Sequence, residues 1–515
     1  MRPQRFARFL LALSVASSAA IWTACNNGRA GEVSAAASDA GKIPITTASD
    51  EARKEFLLGR DLSDRLLGQE SLQHFDKAIA LDPDFGSAEL ARANNSPTAK
   101  DFFDHQKKAM SLVGKVSQGE KLLILANEAG ANGDVAKQKE HLEKLVATYP
   151  NDERAQFALA NCYFGQQDLE KAVANYKKTT ELAPNYSPAY NVLGYAYRQQ
   201  GNYADAEQAF KKYIELIPND PNPYDSYAEL LLKMGRFDES LAQYHKALAI
   251  DPHFVPSHFG IAADQMYLGR PDDAVAELQK MVDQARNDGE LRTAYFGMAV
   301  VAADSNKLDK ALQEMDKEYA VAAKRNDVAA MAADLQAKGN ILVEMSNYDE
   351  AKRQFDRSLQ MIQASSLSQD IKDNATLLHH FDMAGITLAK KDYAAARTYA
   401  AEFRKGAEAG KNQLQVQQAH ELDGRIALAE KNNDKAIAEL EQANLQDPRN
   451  LYRLSLAYGA RGDTAKAQEF LAKAAGFNSL PQLNYAFIRT KVQKMAGNKT
   501  ASLGDVALRI ELSKG

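Results

Sequence analysis

The chain has 515 residues, 45% hydrophobic and 25% charged, with 63 Lys and Arg against 68 Asp and Glu for a net charge of −5. That balance excludes a protein that holds nucleic acid through net basic charge, and the hydrophobic content excludes a disordered body. Two cysteines exclude a disulfide framework, and after residue 24 no apolar run approaches the roughly 20 residues a spanning helix needs.

Arg2, Arg5 and Arg8 precede an apolar stretch from Phe9 to Trp22, the basic-then-apolar order of an export signal over residues 1–24. Thr23 and Ala24 then lead into Cys25. This placement resembles a bacterial lipoprotein signal, in which the cysteine becomes the lipidated first residue of the mature chain; Trp22 departs from that pattern where an aliphatic residue is usual. The resemblance implies a membrane anchor through the lipid at Cys25 alone, facing the periplasm. Asn26 rather than Asp fits an outer-membrane destination in a Gram-negative cell. A soluble secreted or periplasmic form, from cleavage without lipidation, is the alternative. Loss of the leader removes three basic and no acidic residues, leaving 60 against 68, a net −8. Residues 25–50 are Gly-, Ala- and Ser-rich without periodicity and read as a flexible tether, ending at Ser49 as the N-cap of the first helix.

Helical periodicity begins at residue 51, and residues 51–118 read as irregular hairpins. One keeps Gly59, Phe75, Ala78 and Pro83; the next is broken by ANNSPTAKDFF. Over 119–288 the pattern is strict, with units starting at Gly119, Glu153, Ser187, Pro221 and Val255, one every 34 residues. In the third, Tyr190, Leu193, Gly194 and Tyr197 mark one helix face and Tyr203, Ala206, Phe210 and Tyr213 another, with Gly201 and Asn202 between them. The eighth residue of each unit is small (Ala126, Ala160, Gly194, Ala228, Ala262). The twentieth is small in the last four (Ala172, Ala206, Ser240, Ala274), and prolines close four units at 150, 184, 218 and 252. Small residues at a helix crossing let a bulky neighbour such as Tyr176, Phe210 or Tyr244 approach closely.

These residues resemble the tetratricopeptide repeat family. The resemblance implies an all-α, right-handed α-solenoid superhelix of helical hairpins. Over 289–447 the small crossing residues continue at Ala311, Ala351, Ala396 and Ala436 with wider spacing, so longer helices are expected, with insertions in the connections such as KEYAVAAKRNDVAAM. Residues 448–515 hold a last unit with Ala467 and a closing helix, NYAFIRTKVQKMAG, expected to shield the final apolar face.

No phosphate-binding Gly-rich loop, HExxH, paired CxxC or nucleophile elbow occurs, so no catalytic residue or cofactor is expected. His258, His380 and His420 share the fourth position of their units, where neighbours stand about 10 Å apart, too far for one metal. Cys162 reads as a small helix-packing residue.

The resemblance places the second, fifth, ninth, twelfth and thirteenth residues of each unit on a concave groove. That makes Arg154, Phe157, Asn161, Phe164, Asn191, Tyr195, Arg198, Asn222, Asp225 and Glu229 the candidate peptide-binding residues, with Lys233, Met266 and Tyr267 further along. Rings beside amides and charges suit an extended peptide. The expected function is a non-catalytic scaffold of the bacterial cell envelope that binds protein or peptide partners and no nucleic acid. An adaptor for envelope hydrolases or secretion machinery working through its convex face is the second reading, and an enzyme of unrecognised type the third.

Overall fold

A computed structural model describes residues 41–497. The export signal, Cys25 and most of the tether lie outside the described residues. Twenty-five α-helices and no strand form among the described residues. The first four pairs are α1 (Asp50–Asp64) with α2 (Gly68–Leu81), α3 (Gly86–Asn94) with α4 (Ala99–Ser111), α5 (Gln118–Asn132) with α6 (Val135–Thr148), and α7 (Glu153–Gly165) with α8 (Leu169–Leu182). Next come α9 (Ser187–Gln200) with α10 (Tyr203–Leu216), α11 (Pro221–Lys233) with α12 (Phe237–Ile250), and α13 (Val255–Tyr267) with α14 (Pro271–Gln284). The long-helix region holds α15 (Asp288–Asp304) with α16 (Leu308–Lys324), α17 (Val328–Glu344) with α18 (Tyr348–Ala364), α19 (Gln369–Ala389) with α20 (Tyr393–Ala409), and α21 (Gln413–Ala429) with α22 (Asn433–Leu440). The last pair, α23 (Pro448–Arg461) with α24 (Thr464–Ala475), is followed by α25 (Leu483–Gly497).

Each hairpin is punctuated locally. In the α9–α10 turn Gly201 sits at φ 78°, its N–H bonding to the carbonyl of Arg198 and the next N–H reaching back to Tyr197. This left-handed stop satisfies the free carbonyls of α9. Asn202 then caps α10 by accepting from the Asp205 N–H. Asp168, Asp392 and Asp463 play the same part for their second helices.

The crossing alanines at 172, 206, 274, 311, 351, 396, 436 and 467, with Ser240, are all fully buried. Against the small first-helix residues they leave room for the fully buried rings of Tyr176, Phe210 and Tyr244. Gly260 shows how tight the fit is: a Cβ there would lie 2.1 Å from a ring carbon of Tyr244. Gly260→Ala is therefore expected to cost about 2 kcal/mol through overpacking, read as a lowered urea midpoint and faster hydrogen exchange in α12 and α13.

First helices of neighbouring pairs touch one another, as α9 with α11, α11 with α13 and α13 with α15, while second helices make no comparable contact. First helices therefore line the inner, concave radius of the right-handed superhelix. One turn takes seven hairpins: α4 meets α17 and α5 meets α19 on the next turn, where Asn132 accepts from Ser368 and Gln69 from Asn287.

Three expectations need correction. The extra residues of 289–447 lie within the helices, 17 to 21 residues in α15 to α21, and not in the connections. KEYAVAAKRNDVAAM is the second half of α16, a three-residue turn and the start of α17. The tether does not extend to residue 50, because 42–49 are strapped to the fold. Ile43 N–H donates to Asp152, Thr46 N–H to Glu120 and Ala48 N–H to Asp82, while Lys42 pairs with Glu153. Ile43 packs against Tyr149 and Gly119, so apolar side chains among the small residues fasten this stretch. Finally, α25 does more than shield the last unit, because it packs on the first helices α15, α17 and α23.

Candidate functional site

The concave lining of α7, α9 and α11 divides into three groups. At the start of α7, Arg154 pairs with Asp64 of α1 at 2.5 Å and lies 5.0 Å over the ring of Tyr186. Beside it Arg65 grips Asp220 with two bonds of 2.6 and 2.7 Å. The α1–α2 turn thus closes one rim. Burial pushes Arg60 of α1 down to about 10, with the charge of Arg154 adding to it.

The second group packs between helices. Phe157 meets Tyr176 at 5.9 Å and Tyr186 at 5.4 Å, Phe164 stands 6.5 Å from Tyr176, and Asn161 accepts from the Tyr176 hydroxyl at 2.7 Å. Phe157, Asn161 and Phe164 are half-buried, whereas Asn191 and Asn222 are buried: the Asn222 carbonyl oxygen accepts from Asn191, from the Tyr213 hydroxyl and from Ser226. Asn161 and Phe164 thus hold their own hairpin together, while Phe157, Asn191 and Asn222 tie unit to unit.

The third group forms a charged patch. Tyr195 is fixed edge-on against Phe210 at 5.1 Å, and Arg198 stacks on Tyr195 at 4.6 Å while pairing with Glu229 at 3.0 Å. Asp225, one turn before Glu229, is buried and accepts from Ser257 at 2.7 Å. Burial, with Glu229 adding, holds its carboxyl well above the usual range. The structure thus joins Tyr195, Arg198, Asp225 and Glu229, and sets Arg154 apart at the closed rim.

Further along, the lining meets the end of the chain. Lys233 of α11 lies 3.4 Å over the ring of Phe477, and burial with the charge of Arg198 lowers its ammonium to about 7. The Tyr267 hydroxyl donates to the Ser479 carbonyl at 2.8 Å and accepts from its N–H at 3.0 Å. Arg489 grips Asp304 with both oxygens, one bond being 2.6 Å, and also donates to the Met266 carbonyl. Between them Leu483 and Ala486 pack on Ala299, Val300, Ala303, Ala337 and Ile341. Lys233, Met266 and Tyr267 follow from the repeat register; Asp304 and Arg489 do not. The available signal was GMAVVAA in α15, because a helix apolar all round is covered on both sides.

His258 and His420 each pair with a glutamate nineteen residues on, Glu277 and Glu439, and Glu55 pairs with His74 at the same spacing. That offset is where the two helices of a hairpin cross. Among the described residues no group of three His, Cys, Asp or Glu is arranged to hold a metal ion, and no helix is long and apolar enough to cross a membrane. Cys162 is buried, which raises its thiol to about 11 and keeps it unreactive. In the interior behind the patch Asp264 is fully buried with neither oxygen hydrogen-bonded, and burial, with Asp238 adding, raises it to about 8.

The tetratricopeptide repeat family matches at residues 151–219, 231–295 and 448–479. No curated protein matches the chain. Among solved structures it is similar to a tetratricopeptide repeat protein from Parabacteroides merdae, with 14% identity over 51% of this chain and 98% of that one and a TM-score of 0.35. Yeast Tom70 aligns at 16% identity over 73% of this chain and 89% of its own, TM-score 0.44. YrrB, described as having an unusual peptide-binding site, aligns at 20% identity over 38% and 98%, TM-score 0.24.

Proposed function

Taking tetratricopeptide repeats as the premise, we propose that this chain is a non-catalytic scaffold of the bacterial cell envelope. It is exported, anchored through a lipid on Cys25 and holds a protein or peptide partner on its concave face. The observation that carries the binding role is the patch of Tyr195, Arg198, Asp225 and Glu229. It places a stacked ring, a guanidinium and the Glu229 carboxylate on adjacent inner helices, with Arg198 and Glu229 21% and 13% exposed and Asp225 buried beside them. Such a surface offers donors, acceptors and a flat apolar face to a peptide chain, and its acidic share fits a partner that is not nucleic acid.

Phe157, Asn161 and the other packing residues are unsuited to a test, since their loss loosens the stack. Arg198→Glu and Glu229→Arg are suited, because the double exchange restores the pair. Each single reversal is expected to lose at least tenfold in capture of an envelope partner, with the helical circular dichroism unchanged and with recovery in the exchanged chain. Retention of the partner by both single variants rejects the concave face. Incorporation of labelled fatty acid into the natural chain and not into Cys25→Ser is expected of the anchor; equal labelling of both rejects it.

A further inference from the structure

We infer that the inner face of α13, α15 and α17 is a docking surface for an amphipathic helix of a partner protein, and that α25 occupies it as a built-in substitute. The inference rests on the concave-face reading above and names the partner that face takes.

The position of α25 is the first reason. A helix that only covered the end of the stack would lie on α24. This one turns inward across the concave face onto the first helices of the pairs four and three before the last, α15 and α17, as well as packing on α23 and α24. The lane is prepared to receive it: Ala299, Val300 and Ala303 of α15, with Ala337 and Ile341 of α17, form an apolar strip on a radius that otherwise faces solvent. Leu483 and Ala486 fill the strip, and Arg489, three residues on, reaches Asp304 and the Met266 carbonyl where the strip ends. Apolar residues three apart followed by one cation are the recognition pattern of a helix lying in a groove.

The second reason is that the fit is incomplete. The Tyr485 hydroxyl and the Asn484 side-chain oxygen are buried at this interface without a hydrogen-bond partner. Lys233, drawn out of water, faces a ring of Phe477 and has no carboxylate in salt-bridge range among the described residues. Unsatisfied groups of this kind weaken an interface by the desolvation they leave uncompensated. The connection from Phe477 to Gln482 carries no helix, so α25 can leave without unwinding α24. A partner helix with the Leu–Ala–Arg spacing and an acidic residue where Phe477 stands satisfies Lys233 as well as Asp304, and so replaces the substitute. Tethering gives α25 an effective concentration on the order of millimolar, which masks the lane in the natural chain.

A fluorescein-labelled peptide of residues 477–497 tests this on the full chain. Binding to Arg489→Glu, whose α25 now sets a carboxylate against Asp304, is expected to be at least tenfold tighter than to the natural chain. Hydrogen exchange is expected to show α25 released while the other helices stay protected. The milder Tyr267→Phe, which removes only the Ser479 bonds, is expected to fall between the two. In Asp304→Arg, whose own α25 sets Arg489 against the new cation, the natural peptide should not bind, and a peptide carrying Arg489→Glu should bind at least tenfold more tightly. A peptide with Phe477→Glu is expected to bind more tightly than the natural one, and Lys233→Met to abolish that gain. Unchanged protection of α25 in Arg489→Glu, or its release without tighter peptide binding, overturns the inference. Neither outcome bears on the Arg198–Glu229 patch, which stands or falls by its own charge exchange.

Discussion

Arg292→Met is expected to destabilise the α15–α17 region by about 4 kcal/mol. Arg292 is 8% exposed and its guanidinium bonds to both oxygens of Asp334, at 2.8 and 2.9 Å, and to the Glu318 carboxylate at 3.2 Å. Asp334 and Glu318 are themselves buried, and the two carboxylates hold Arg292 firmly protonated against the burial that opposes its charge. Methionine fills similar space but removes the guanidinium that bridges a carboxylate on α16 and one on α17. Two buried carboxylates then lose that guanidinium, and the loss of a partner costs more than the pair contributed when intact. The measurement is native-state hydrogen exchange across 288–344 together with urea unfolding, since a repeat array need not unfold in one step. Adding Asp334→Leu is expected to recover much of the loss. If the single variant unfolds like the natural chain, the bridge carries no stability.

Asp264→Asn is expected to raise stability at pH 8 by about 3 kcal/mol and to flatten its dependence on pH. The carboxyl has no hydrogen-bond partner, and the nearby Ser240 hydroxyl is committed to the Ala228 carbonyl at 2.9 Å. Burial, with Asp238 adding, raises its pKa to about 8 in the folded chain, against about 3.9 unfolded. Between those values the folded state holds a proton that the unfolded state has lost. The contribution of Asp264 is therefore most favourable below about pH 4, declines as pH rises to about 8 and is level beyond that. Asp225 shifts in the same direction and leaves a residual slope in the variant. Urea midpoints at pH 5 and pH 8 decide it: the natural chain should be more stable at pH 5, and Asp264→Asn should lose most of that difference. A natural chain equally stable at both values contradicts the buried, proton-holding carboxyl.

The hairpins were legible because their determinants are local. Small residues at fixed offsets, Gly201 and Asn202 in a turn and prolines ending second helices report on side chains within one or two turns of each other. The groove was legible only as a direction. The repeat register places Phe157, Asn161, Asn191 and Asn222 toward the inner radius, but their burial and bonding depend on Tyr176, Tyr186 and Tyr213. The strap at Lys42 to Ser49 was missed because two isoleucines in a Gly- and Ala-rich stretch carry no period, and its partners Asp82, Glu120 and Asp152 lie 34 to 109 residues away.

By itself the sequence determined the helical hairpin, its repetition and the stacking that makes a solenoid, since each depends on spacings shorter than one unit. Only the tertiary structure decided which stretches of the concave face are closed, by the α1–α2 turn at Arg154 and by α25 across α15 and α17. The physical reason is the superhelix: it brings distant residues together between neighbouring turns, as Asn132 with Ser368, or across the concave face, as Asp304 with Arg489, 185 residues apart, and such pairs obey no local period.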